Sequence, residues 1–439
     1  MSRIVCKFGG SSVADAAQFR KVRAIIESDQ TRSIIVPSAP GKRTPSEAKL
    51  TDLLYLCHDM AGIGTDFSGP FATIKERFLE IAADLGIPPS IEEPLDELST
   101  QIAEGCTRDF VASRGEYLNG LLMAQYLQAE FVDPFHYVSI TPSGVVDLST
   151  YVALGKALAD TSKRYVMPGF YGRDSRGRVK TFSRGGSDIS GAIAARAAHA
   201  DLYENWTDVS GLLMTDPRIV DNPRPMEEVT YREIRELSYM GATVFHDEAI
   251  VPVREASIPI CIKNTNAPDH PGTRIVPKLS PRVEATTEIA GIAGRCSFSM
   301  VCVEKSLMNK EIGFGQRVLS IFERNKVSFE HCPSSIDGFN VIVEKLALED
   351  KAELILDEIR KNLEPDKIEL VPDLALIAVV GEGMIHRVGI AAKAFCALRD
   401  AGVNVRVINQ GASELNIIIG VTPDDYERAV RALYAVYVS

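Results

Sequence analysis

Long apolar runs, paired cysteines and basic tracts are all missing from this chain of 439 residues. Nothing approaches the roughly 18 consecutive apolar residues that cross a bilayer. The opening MSRIVCKFGG runs straight into a strand pattern without an export leader, so a cytoplasmic protein with no membrane partner is expected. The eight cysteines (Cys6, Cys57, Cys106, Cys261, Cys296, Cys302, Cys332, Cys396) are scattered and form no CxxC pair. They read as reduced core residues, not as a zinc or dithiol site. Lys plus Arg number 48 against 59 Asp plus Glu, a formal charge of −11, which leaves no basic footprint for a phosphate backbone and no expectation of nucleic acid. The signatures GxxxxGK[ST], GxGxxG, HExxH and GxSxG do not occur, so any phosphate binding is of another type.

What is present is ordinary for a folded soluble chain: 45% hydrophobic and 24% charged residues. At about 150 residues per domain, the length suggests two or three domains. Up to about residue 290, short β-branched runs (Ile4 to Cys6, Ser33 to Val36, Tyr165 to Pro168, Leu202 to Trp206, Pro259 to Ile262) alternate with helical patterns. That alternation predicts an α/β domain with a largely parallel sheet. Residues 43 to 106 are mostly helical in pattern and read as an excursion over one lobe.

Beyond residue 295 the chain matches itself at an offset of 76. Met308 meets Met384, Gly313 meets Gly389, Val327 meets Val403 and Asn340 meets Asn416, with FNVIV from Phe339 aligned on LNIII from Leu415. Each copy predicts a βαββαβ unit, one from about Ser299 and one from about Leu374. Such a pair is either purely structural, each sheet covering the other, or a regulatory ligand site.

Four segments carry candidate chemistry. Lys7-Phe8-Gly9-Gly10-Ser11-Ser12 falls where a strand ends and a helix, predicted over 12–27, begins. It is either a tight turn with an exposed lysine or a phosphate cradle of backbone N–H groups with Lys7 as the charge. Ser183-Arg184-Gly185-Gly186-Ser187-Asp188 precedes an Ala-rich helix; Arg184 suits a carboxylate, and Asp188 is either a plain N-cap or a site residue. Trp206-Thr207-Asp208-Val209-Ser210-Gly211, leading into Thr215-Asp216-Pro217-Arg218, is a β-turn or a nucleotide edge. Ser113-Arg114-Gly115-Glu116 precedes a helical pattern from Tyr117, so Glu116 is a first-turn charge or a ligand group.

Read together, these segments resemble the aspartate kinases of the amino acid kinase family. The matching stretches are KFGGSS (7–12), PSAPG (37–41), SRGE (113–116), SRGGSD (183–188), WTDVSG (206–211), TDPR (215–218) and PGT (271–273), and the duplicated tail resembles paired ACT domains. The resemblance implies an amino acid kinase-type three-layer α/β domain with a mostly parallel sheet over 1–290, comprising an amino-acid lobe and a nucleotide lobe. Two ferredoxin-like ACT units follow, over 299–370 and 374–439. It implies a monofunctional enzyme that phosphorylates the L-aspartate β-carboxylate with ATP and Mg²⁺ on the lysine, threonine and methionine route, the Mg²⁺ bridging phosphates instead of filling a protein cage.

By the same resemblance, Lys7 neutralises the transferring phosphoryl group and Asp188 orients Lys7 and the site, while Gly9, Gly10 and Ser11 donate to phosphates. Arg184, Glu116, Ser187 and Thr51 hold the amino acid. Thr207, Asp208, Leu213 and Arg218 line the nucleotide. Three departures stand out: Thr243 where many relatives carry Lys, His246-Asp247 where His-Pro is common, and an apparent insertion from Lys42 to Lys49. Met308, Phe329, Glu330 and Ser335 fall where lysine-sensitive relatives contact lysine. Arg406, the repeat partner of Glu330, would repel it. A homodimer through the ACT units, or a pair of such dimers, is implied, with lysine and/or threonine as effectors. Rival readings are a kinase for N-acetylglutamate or glutamate, and an inactive amino-acid sensor.

Overall fold

The computed structural model describes residues 2–88, 90–182, 185–242 and 247–438. The chain forms two compact units: Met1–Leu212 with Glu227–Tyr231 and Val244–Leu279, and Leu213–Met226 with Arg232–Thr243 and Ser280–Ser439.

The first unit is built on strands β1 (Ile4–Phe8), β2 (Arg32–Pro37), β3 (Glu130–Phe131), β4 (Tyr165–Val166), β5 (Tyr171–Arg173), β6 (Val179–Thr181), β7 (Leu202–Thr207), β8 (Glu228–Thr230), β9 (Ile260–Asn264) and β10 (Thr273–Val276). Among the described residues, eight make one sheet in the order β3-β4-β2-β1-β7-β9-β10-β8, and β5 pairs with β6 apart from it. Every pair in the large sheet is parallel except β9 with β10. The central strands β1, β2 and β7 are buried along nearly their whole length, as a parallel sheet covered on both sides requires.

Alternation along the strands assigns the faces. Cys6, Phe8, Ile35 and Trp206 join a core with the helices Ala16–Glu27, Leu50–Gly62, Ser68–Leu85, Glu92–Glu104 and Arg108–Leu127, and Phe8 stacks on Trp206 at 6.0 Å. Three of these helices are the predicted excursion between residues 43 and 106. The first helix begins at Ala16, capped by Asp15, after a 3₁₀ turn at Gly10–Val13, so it starts later than the predicted residue 12. On the opposite face lies the helix Gly186–Ala197. It comes close because Gly191 offers no side chain to Tyr203, whose hydroxyl would stand 2.5 Å from a Cβ there.

The second unit holds β11 (Gly291–Glu304), β12 (Gly338–Glu344), β13 (Lys367–Val380), β14 (Val407–Asn409) and β15 (Asn416–Val421), in the antiparallel order β12-β11-β13-β15-β14. Both repeats are present, and they share strands. Phe298–Glu304 of β11 pairs with β12 and with the first half of β13, completing the first repeat. The earlier half, Gly291–Arg295, pairs with Leu376–Val380 of β13 and so serves as the edge strand of the second repeat. The second strand of the first repeat shrinks to two bridges, His331 to Ile342 and Ser334 to Phe339.

One buried ion pair ties the first sheet together. Glu204 accepts from Arg32 Nε at 2.8 Å and Nη2 at 3.1 Å and from Trp206 Nε1 at 3.0 Å. Removing one partner of such a pair strands a buried charge, so Glu204→Ala should cost about 3–5 kcal/mol, seen as a lower urea midpoint. An unchanged midpoint would show that the pair is dispensable.

Candidate functional site

Strands β1, β2, β4 and β7 run parallel and end side by side: Phe8 is in register with Pro37 and with Trp206, and Ile35 with Val166. The loops that follow therefore gather at one edge of the sheet, where open α/β sheets place their ligands.

Lys7 and Asn205 are register neighbours on β1 and β7 and share the face covered by the helix Gly186–Ala197. The first turn of that helix sets Asp188 over them. Lys7 Nζ lies 2.6 Å from Asp188 Oδ1, with both side chains nearly buried. Asn205 Nδ2 donates to the same oxygen at 2.9 Å, and Lys7 Nζ donates to Asn205 Oδ1 at 3.4 Å. Lys7 is thus not an exposed turn residue, and Asp188 is not the N-cap, a place taken by Gly185 at φ 59°. Asn205 was missed in the sequence, although two polar residues, Glu204 and Asn205, inside the run LYENWT were a visible sign.

The glycine loop packs against neighbouring backbone. Gly9 N donates to Trp206 O at 2.9 Å, and Gly41 N to Gly10 O at 2.8 Å. A Cβ on Gly41 would stand 2.4 Å from Gly10 C, so only glycine permits this approach. Ser12 Oγ accepts from Thr265 Oγ1 at 2.7 Å, while Ser11 is exposed.

The SRGE segment lies inside the helix Arg108–Leu127, not ahead of one. Glu116 is consequently no first-turn charge. It is buried, and its Oε2 has no partner among the described residues. Burial pushes its carboxyl up to about 8, against the backbone of Ala39 and the charge of Arg114, which pull the other way. The Arg114 guanidinium packs over the rings of Phe110, Tyr117 and Tyr171. Gly115 lets Ala39 approach: a Cβ would meet it at 2.9 Å. Asn119, one turn on from Glu116, donates to Ser38 O at 2.6 Å.

Ser187 is buried against Gly169, where a Cβ would stand 2.7 Å from it, and Thr51 is half-buried in the first turn of Leu50–Gly62. Thr207 Oγ1 donates to Asp208 at 3.2 Å at the end of β7. Lys7, Asp188, Gly9, Gly10, Ser11, Thr51, Glu116, Ser187, Thr207 and Asp208 all belong to the first unit. Leu213 and Arg218 belong to the second, where Arg218 projects outward and pairs with Asp216 at 2.6 Å. Arg184, Thr243 and His246 lie outside the described residues.

In the second unit, Met308 is packed in the core of the first repeat, and Phe329 and Ser335 are exposed. Glu330 accepts a hydrogen bond from the hydroxyl of Tyr239, a partner that no sequence signal marked. A cavity of about 530 Å³ in the second repeat is lined by Met384, Gly389 and Gly411, the repeat partners of Met308, Gly313 and Ser335.

A sequence model of the amino acid kinase family matches residues 2–264, and an ACT domain model matches 377–437. Aspartokinase 3 of Bacillus subtilis is 40% identical over 98% of this chain and 97% of its own length. The crystal structure of Clostridium acetobutylicum aspartate kinase superposes with a TM-score of 0.94 at 48% identity, covering 99% of this chain and 100% of that one. Escherichia coli aspartokinase III, solved with lysine and aspartate, shares the fold at a TM-score of 0.76 and 24% identity over the whole of both chains.

The raised Glu116 carboxyl fixes a pH dependence. Between its ordinary value of 4.5 and about 8 the folded chain holds a proton that the unfolded chain has lost, so its contribution to stability falls as pH rises through this window. Glu116→Gln lacks that titration. Its stability advantage should grow from pH 5 to 8 and then level off in urea melts; a constant difference would contradict the assignment.

Proposed function

The chain belongs to the amino acid kinase family, among its aspartokinases, and from that premise we propose that it transfers the γ-phosphoryl group of ATP to the β-carboxylate of L-aspartate. The products are 4-phospho-L-aspartate and ADP. The carrying observation is the nearly buried Lys7–Asp188–Asn205 cluster beside the glycine loop.

The reaction needs no base, because a side-chain carboxylate with a pKa of about 3.9 is ionised at neutral pH. One carboxylate oxygen forms a bond to the γ-phosphorus, the bond to the β–γ bridging oxygen breaks, and its electron pair leaves with ADP. No proton moves. What the protein must supply is charge neutralisation and alignment of two anions. Lys7 provides the cation, held in place by Asp188 and Asn205; the amides of Gly10 and Ser11 are assigned to the phosphates by resemblance, the Gly9 amide being already bound to Trp206 O. Mg²⁺, carried in on the nucleotide, would neutralise phosphate charge; the exposed carboxylate of Asp208 at the end of β7 is a hard oxygen donor that fits it.

Glu116 supports a free amino acid as acceptor. Burial holds its carboxyl up at about 8 and leaves Oε2 without a partner among the described residues; a substrate ammonium can donate to that oxygen and draw the carboxyl back to its charged form, which the amide of N-acetylglutamate cannot do. Arg184 is assigned to the α-carboxylate by resemblance. We assign the chemistry to residues 1–290 and effector response to 299–370 and 374–439, in a cytoplasmic homodimer or a pair of dimers, feeding the lysine and threonine route.

For regulation, E. coli aspartokinase III binds lysine, and Glu330 here is the acid suited to an ε-ammonium. Its carboxylate already accepts from the Tyr239 hydroxyl through Oε2, so lysine competes with that donor for the same group. Threonine, alone or with lysine, is the second effector to test.

ATP consumption should appear with L-aspartate and not with N-acetyl-L-glutamate or L-glutamate, and lysine should suppress it. Turnover on another acceptor, or on none, would overturn the reading. Lys7→Ala should lower kcat by about a thousandfold in a chain that still folds by circular dichroism. Glu330→Ala should raise the lysine concentration for half-inhibition, and Tyr239→Phe should lower it. Opposite shifts in that titration would remove the lysine assignment.

A further inference from the structure

The segment Pro37–Gly41 is held by three side chains from two helices. Asn119 donates to Ser38 O, the Glu116 carboxyl lies against the backbone of Ala39, and Arg77 of the helix Ser68–Leu85 donates through Nη2 to Gly41 O. On its other side the same segment touches the glycine loop: Ser38 N donates to Phe8 O at 3.0 Å and Gly41 N to Gly10 O at 2.8 Å. Gly41 is in contact so close that no Cβ fits.

Arg77 is unusual in this setting. It is a charged residue only 5% exposed, and burying a guanidinium is expensive unless something is gained. The carboxylate paired with it, Glu47, is 3.4 Å away and is already bound by Arg43 at 2.7 Å, while Glu80 and Asp15 act on the guanidinium only more weakly. Its Nε has no partner among the described residues. The strong contact is the Gly41 carbonyl, and through the Gly41 amide that contact reaches Gly10.

We propose that Arg77 is a positioning residue for phosphoryl transfer, which acts by fixing the Gly41 peptide and thereby the spacing between the glycine loop and Lys7. This rests on the kinase reading above. A loop free to shift by about 1 Å would misalign the phosphate donors at a cost of about 100-fold in rate. A role of this kind lowers kcat more than it raises KM, because ATP still binds while the aligned arrangement is lost.

The test uses the full chain, with ATP affinity measured by calorimetry and turnover on L-aspartate measured in parallel. Arg77→Ala should lower kcat by about 100-fold and change KM for aspartate by less than about threefold. Guanidinium chloride, far below denaturing concentrations, should restore much of that loss by filling the vacated site. Arg77→Lys, which keeps a donor, should retain more activity than Arg77→Ala and serves if the alanine variant fails to fold. Glu47→Gln should lower stability and leave kcat near that of the parent. The proposal is overturned if the folded fraction of Arg77→Ala or Arg77→Lys turns over at the parent rate, if guanidinium does not rescue, or if Glu47→Gln costs as much kcat as Arg77→Ala. Failure of the parent to turn over aspartate while binding ATP would instead count against the aspartate kinase reading.

Discussion

An ammonium and a carboxylate 2.6 Å apart, both nearly shielded from water, constrain the edge of the large sheet at which its loops gather. Removing two charges from water costs several kcal/mol each before their attraction returns anything, so the Lys7–Asp188 pair persists only where its surroundings are polar and fixed. Asn205 supplies the polarity and the parallel register supplies the fixity, since Lys7 and Asn205 sit opposite one another on adjacent strands. The helix that brings Asp188 can lie low over them because Gly186 and Gly191 keep it slim, against Phe170 and Tyr203. The alternate residues of the same strands, Cys6, Phe8, Glu204 and Trp206, face away into the other layer. Electrostatics on one side of the sheet thus depends on packing on both.

The second unit shows comparable economy in a short helix, Tyr231–Tyr239, which leaves directly from β8. Three of its side chains are spaced one turn apart. Glu233 Oε1 accepts from Glu382 N at 2.7 Å and Glu236 Oε2 from Asn416 Nδ2 at 2.7 Å, both in the second repeat, while Tyr239 reaches Glu330 in the first. A single rigid element therefore touches both repeats and is continuous in sequence with a strand of the large sheet.

Much of this was legible beforehand. The parallel sheet followed from β-branched runs between helical stretches, and the duplicated tail from the 76-residue offset. Lys7, Gly9, Gly10 and Asp188 were marked by glycine pairs at strand-to-helix turns. What was hidden depends on distance along the chain. Asn205 acquires its role only from register with β1, Arg77 only from the approach of Gly41, and Tyr239 only from the fold of the second unit. The helical position of SRGE was misread because Ser113 and Gly115 are weak helix formers on either side of Arg114; buried neighbours, not propensity, decide there. The crossing of strands between repeats was invisible because each half of β11 and β13 reads as a strand in either partner.

That crossing sets an order of assembly. On the ribosome, Gly291–Arg295 emerges ahead of the entire first repeat, yet its partner Leu376–Val380 is made only after it. The nascent chain must therefore carry a bare strand edge through the synthesis of one complete repeat, the interval in which unpaired edges invite wrong pairings. Phe298–Glu304, β12 and the first half of β13 pair among themselves, whereas the second repeat stays without its edge strand unless the start of β11 is present. The dependence runs one way: the second repeat, despite its origin as a duplicated sequence, takes its edge strand from ahead of the first, so it cannot be excised or exchanged for a relative's by its own residues alone.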